Sequence, residues 1–287
     1  MSGMPAMAWF EGGTNFIRWS APGQAGQWPE VQVLGDRCTG RGVALARNGD
    51  HTYMAWKGVE RNIWWSRLRD GSWSPRESTG FRTLTFPVLG RLGDRTFLAF
   101  RREERNFRPP SHQQYTIRWA ELHGDRWETE SRDLGLHFVD ENVSLAEHDG
   151  RLHMVWRRTF DSRVCHAVFD GTWTIEGPVG NWRTSAVPAV ASDGVHLHFA
   201  WRRVEDDHIG WVAGTGDHLG DEVVLSDRRA AGGPALGRSA DGELVMVWCD
   251  AADGGLRWAR CRELCWESRQ HAFADRHADA WHGVSLA

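Results

Sequence analysis

The chain has 287 residues, a formal net charge of −4 and no long block of like charge, which excludes a nucleic-acid partner of the kind that needs a basic patch for counterion release. No apolar run approaches the ~18 residues of a membrane helix, and no basic start followed by an apolar core marks a secretion signal, so no membrane partner is expected. Five cysteines, an odd number, in a chain without such a signal point to a reduced, cytoplasmic protein.

Taken in order, the elements repeat. Two runs of alternating apolar residues, Thr52–Trp56 and Asn62–Ser66, are separated by a Gly-containing loop, and Asp70-Gly71 makes a tight turn into a further strand opened by Trp73. The second-strand aromatic of this unit recurs as Trp9, Trp56, Phe100, Trp156, Trp201 and Trp248, at spacings of 47, 44, 56, 45 and 47 residues. The third-strand pattern recurs as Ile17-x-Trp19, Ile63-x-Trp65, Ile117-x-Trp119, Val164-x-His166, Ile209-x-Trp211 and Leu256-x-Trp258. A fourth-strand Trp follows as Trp28, Trp73, Trp127, Trp173 and Trp266, and the fifth copy alone lacks it.

Each copy but the first is preceded by an apolar run with small residues at alternate places, from Val43-Ala44-Leu45-Ala46 onward; the sixth such run is the C-terminal Val284-Ser285-Leu286-Ala287. The first copy must borrow it. The fold expected is therefore all-β, a single six-bladed β-propeller over residues 1–287 made of four-stranded blades. The ring is closed by the C-terminal strand pairing into the N-terminal blade, so that blade one is shared between residues 5–34 and 282–287.

Short hairpin turns such as Asn48-Gly49, Asp149-Gly150 and Asp170-Gly171 gather at one end. The other end carries the connections between second and third strands and those between blades, and working residues are expected there. The largest departure is Arg101–Tyr115, read as a lid or wall stiffened by Pro109-Pro110. Fifteen of the eighteen Trp hold repeated positions; Trp64, Trp182 and Trp281 do not, and Trp182 and Trp281 are placed on inter-blade loops of the long-loop end.

Polar residues just before the inner strands include Arg41, Asp140, Glu141, Arg228 and His282, and just after the second-strand aromatic stand Arg101, Arg157 and Arg202. These suggest one asymmetric pocket at the mouth of the central channel. In that reading Glu141 or Asp140 works with His282 as acid and base on a small polar or anionic substrate, Trp182 and Trp281 form walls, and Arg41, Arg101, Arg157, Arg202, Tyr115 and His112 hold the substrate. Neither a cofactor nor a metal is called for. Cys261-x3-Cys265 has no second ligand pair, and no phosphate loop, HExxH or GxSxG occurs.

The triplets Ile17-Arg18-Trp19, Ile117-Arg118-Trp119 and Leu256-Arg257-Trp258 resemble the Ile-Arg-x-aromatic strand of the fungal-type fucose-binding lectins. That resemblance implies a six-bladed propeller holding sugar between blades, with Arg18, Arg118 and Arg257, and Glu121 beside Arg118, as sugar-binding residues. It makes a lectin-like glycan binder the alternative to the enzyme. Sialidases are a further six-bladed comparison, but Asp70-Gly71-Ser72-Trp73 is shorter than their Asp-box, and Tyr115 alone could stand for their nucleophile.

Overall fold

A computed structural model describes residues 4–10, 13–21, 28–102, 116–135, 139–277 and 284–287. Every regular element among them is a β-strand, and no helix is long and apolar enough to cross a membrane. Six antiparallel sheets form six blades, each reading inner, second, third and outer strand away from the axis. Blade two is Val43–Asn48, His51–Lys57, Asn62–Arg69 and an outer strand in two pieces, Ser72–Trp73 and Glu77–Arg82. Blade four is Val139–His148, Arg151–Arg158, Arg163–Phe169 and Trp173–Arg183. Blade five is Ala189–Ser192, Leu197–Arg202, His208–Gly214 and Val223–Arg229.

The alternation read from the sequence becomes two buried faces, because each blade is covered on both sides by its neighbours and the period of two sends successive side chains to opposite sheets. In the second strand of blade five, Leu197, Phe199 and Trp201 face blade four, packing with Val155 and Val164, whereas Ala200 faces blade six beside Leu244, Met246 and Trp248. Near the axis the inner strands converge so closely that a Cβ on Gly237 would lie 2.6 Å from Leu286 Cβ, which explains the small residues of that strand.

Ring closure is as expected. Met7 pairs with Leu286 and Ala8 with Ser285, Ala6 and Ala287 exchange backbone hydrogen bonds of 2.7 and 3.0 Å, and Ser285 Oγ accepts the amide of Leu45 in blade two at 2.9 Å.

The two ends of the ring differ from expectation. Connections between second and third strands are four or five residues long in every blade except blade three, so that end is generally trimmed too. The exception, 102–116, lies mostly outside the described residues. At the end of short hairpins, the connection between third and outer strands instead runs to eleven residues in blade one, 21–31, and to eight in blade five, 215–222.

Candidate functional site: a groove between blades four and five

The repeat builds one recurring contact between neighbouring blades, in which the outer-strand Trp of one blade meets the third-strand Trp of the blade before it. Trp73 lies against Trp19, Trp127 against Trp65, Trp173 against Trp119, Trp266 against Trp211 and Trp28 against Trp258, with ring centroids 5.2–6.5 Å apart and planes crossing at 72–87°. These are edge-to-face pairs, the arrangement that sets a positive ring edge against a negative face. Five interfaces are closed in this way.

The interface between blades four and five has neither ring. Its third-strand position is His166, and the outer-strand position, fixed by the bridge of Gly214 with Leu219, is Leu219. A groove of about 660 Å³ opens there, bounded by His166, the outer strand of blade four from Thr174 to Trp182, and residues 216–222 of blade five. Arg151 spans it, with its guanidinium 3.0 Å from Asp217. Asp170, Glu176, Asp221 and Glu222 add carboxylates along the walls, and Glu222 is held by Arg203 at 2.9 Å.

The floor is unusual for a propeller core. His166 is buried, with Nε2 2.9 Å from Nδ1 of the fully buried His153 and the two rings stacked at 5.2 Å. Burial, reinforced for His153 by the neighbouring His166 and for both by Arg151, drives their pKa values down, to about 4 for His166 and about 3 for His153. Both rings are therefore neutral at pH 7, and His166 presents to the groove a group able to donate or accept.

Trp182 lies within the outer strand Trp173–Arg183, not on a loop. It stacks on Trp201 of blade five at 4.9 Å and 22° while remaining half-exposed along the groove. Gly210 makes this possible: a Cβ there would sit 2.5 Å from the Trp201 ring. The same inter-blade place is filled elsewhere by Phe81 stacked on Phe100 at 5.1 Å, and by two guanidiniums. Arg37 lies over Trp56 at 5.8 Å and donates to Ser74 O and Ser66 Oγ at 2.8 and 3.2 Å. Arg228 lies over Trp248 and Trp266 and donates to the Glu267 carbonyl. Arg228, expected at the channel mouth, is only 2% exposed and bridges blades instead.

The other predicted residues are dispersed. Arg157 donates to Ser162 Oγ at 3.1 Å and Arg202 pairs with Asp207 at 2.6 Å, each within its own blade. Arg101 ends the second strand of blade three in a buried position, and Arg41 is half-buried with its carbonyl accepting Thr39 Oγ1. Glu141 is half-buried in the irregular start of the inner strand of blade four, which also contains Asp140. His112, Tyr115, Trp281 and His282 lie outside the described residues.

Among the residues named for sugar binding, Arg18 faces Trp9 across the strand pair. Arg118 binds Ser131 and lies 3.5 Å from Asp133, while Arg257 binds Asp253 and lies 3.8 Å from Asp250. Glu121 is buried in a two-toothed contact with Arg95 at 2.7 and 2.8 Å, whose hydrogen bonds hold its carboxyl below the usual range against the opposing effect of burial.

No protein-family model and no curated protein sequence matches the chain. Solved structures do. A mutant of the Aleuria aurantia lectin in complex with Fucα1-6GlcNAc aligns at a TM-score of 0.69 and 10% identity, over 95% of this chain and 93% of that one. AofleA from Arthrobotrys oligospora aligns at 0.66 and 12%, over 93% and 81%. A Hadza microbial sialidase aligns at 0.58 and 12%, over 91% and 67%. At these identities the likeness is one of fold, and the resemblance to the fucose-binding lectins holds at that level.

The expectation of an acid–base enzyme with one pocket at the long-loop mouth of the channel is corrected. The channel there is a slot of about 130 Å³ walled by backbone and by Phe86, Pro87, Val187, Pro188 and Pro234, with no carboxylate among its described lining residues. Glu141 is not in it. The solved propellers that align over almost the whole chain include lectins in complex with fucosides.

Proposed function

We propose that this propeller is a lectin-like carbohydrate-binding protein that holds a sugar between blades, with the groove between blades four and five as its principal site. The observation that carries this is the loss of the Trp pair at one interface out of six, replaced by a histidine and an aliphatic residue around an open, polar-lined space. A pyranose has an apolar face and a rim of hydroxyls. The exposed part of Trp182 suits the first, because aromatic faces pack against C–H-bearing surface; Asp170, Glu176, Asp221 and the neutral His166 suit the second as hydrogen-bond partners. The guanidiniums of Arg118 and Arg257 are bound within their own blades, which argues against further sugar sites at those two residues.

Titration against a panel of mono- and oligosaccharides, read by calorimetry for affinity and stoichiometry, tests this. One site per chain is expected, with Trp182→Ala weakening it at least tenfold and His123→Asn, on a different blade, leaving it unchanged. Sugar binding that survives Trp182→Ala, or several equivalent sites, would move recognition away from this groove. Absence of binding to any sugar would end the lectin reading.

A further inference from the structure

At the hairpin end of blade five, on the side that faces blade six, three metal-ligating groups converge. Asp193, His196 and His198 surround the Asp193-Gly194 turn, and one ligand atom from each lies within 4.8 Å of the others. Asp193 Oδ2 is 3.3 Å from His196 Nδ1 and 3.0 Å from His198 Nε2. Donors bound to one ion at ~2.0–2.1 Å are separated by roughly 3.0 Å at octahedral and 3.3 Å at tetrahedral angles, so both spacings already suit a common ion.

The groups are also fixed in place. Asp193 Oδ1 accepts the amides of Val195 and His196 at 2.7 and 2.6 Å, which aims Oδ2 at the imidazoles. His198 is fully buried and lies parallel to Trp211 at 5.8 Å and 19°. His196 is partly exposed and leaves a way in from solvent. A second cluster of similar composition, Glu121, His123 and Glu128, lacks this freedom, because both oxygens of Glu121 are taken by Arg95 and Glu128 is held by Arg132.

We infer that Asp193, His196 and His198 form a binding site for a divalent transition cation such as Zn²⁺, Ni²⁺ or Cu²⁺. Two imidazole nitrogens and one carboxylate oxygen favour these ions over Ca²⁺ and Mg²⁺, which take all-oxygen sets. Three protein ligands leave further positions for water. Binding through Nε2 moves the His198 ring proton to Nδ1, which is buried with no hydrogen-bond partner among the described residues. A metal-bound histidine without an acceptor for its other N–H gives up roughly 10–100-fold in affinity, so the site is of moderate strength.

The untagged full-length chain, stripped with chelator, is titrated with Zn²⁺ and Ni²⁺ by calorimetry and by thermal shift, with Ca²⁺ as control. One equivalent of transition metal is expected, together with a raised melting temperature, and no response to Ca²⁺. His196→Gln, a change at a partly exposed ring, should weaken binding at least tenfold in a protein that melts normally without metal; His123→Asn at the other cluster should not. Asp193→Asn, if it folds, should lose binding as well. Absence of bound metal, or metal affinity unchanged by His196→Gln, overturns the assignment.

Discussion

The interface between blades two and three and the interface between blades four and five are built on the same strands at the same register, yet one is sealed and the other open. At the first, Trp127 meets Trp65 edge to face. At the second, His166 and Leu219 stand in the two equivalent places and a groove of about 660 Å³ remains. A repeat makes such a difference meaningful, because the five closed copies show what the scaffold alone requires. What departs at both partners of one contact is therefore a property of that interface and not of the fold.

The largest effect expected on breaking this comparison comes from the sealed side. Trp127→Ala removes a buried ring and leaves a cavity, at a cost of ~3–5 kcal/mol, whereas Leu219→Ala, at a half-buried position, should cost well under ~2 kcal/mol. Denaturant midpoints of the two variants measure this, and equal losses would mean that the open interface carries as much packing energy as the closed ones.

Acid provides the next test. Because the folded-state pKa values of His166 and His153, about 4 and about 3, lie below the unfolded value of ~6.5, the unfolded chain takes up protons first. The stability due to these neutral rings is complete above pH ~6.5 and is lost as pH falls towards the folded values, at up to ~1.4 kcal/mol per pH unit for each group. Unfolding curves from pH 7 to 4 should show this slope in the native chain and a shallower one in His166→Gln; the same slope in both would clear the pair of responsibility.

The smallest effect on stability, and the sharpest on function, belongs to Leu219→Trp. Because the added ring enters open space and not a filled core, restoring one member of the missing pair should change stability little while filling the groove and removing sugar affinity. Retained affinity would show that the ligand sits elsewhere.

Most of the architecture was legible in the residues because the second-strand aromatics point into the interfaces in every copy and the third-strand Trp in every copy but the fourth, and pairs such as Trp56 with Trp64 and Phe100 with Arg118 fall in register. The site was not. Its two defining positions, His166 and Leu219, lie on different blades and each was visible as an irregularity in its own copy. Only the rule that an outer Trp packs on the third-strand Trp of the previous blade connects them, and that rule is a fact of three-dimensional neighbourhood. Loop length also misled, since it drew attention to the end opposite the 215–222 connection. The buried Arg228 was misplaced for a related reason: a guanidinium flat against Trp248 and Trp266 satisfies a packing need that composition alone assigns to solvent.

Ring closure by Ser285–Leu286 bears on how the molecule reaches its native state. This pairing joins residues almost a whole chain apart, and contacts of such sequence separation form late because the intervening chain must be ordered first. Until then Met7–Phe10, whose four residues are buried in the finished ring, has an open edge ready to accept a strand. The matching segment of a neighbouring molecule fits that edge as well as its own does. Refolding at high protein concentration is therefore expected to let two chains exchange these terminal strands, and a concentration-dependent dimer on sizing of the refolded protein is the result that checks it.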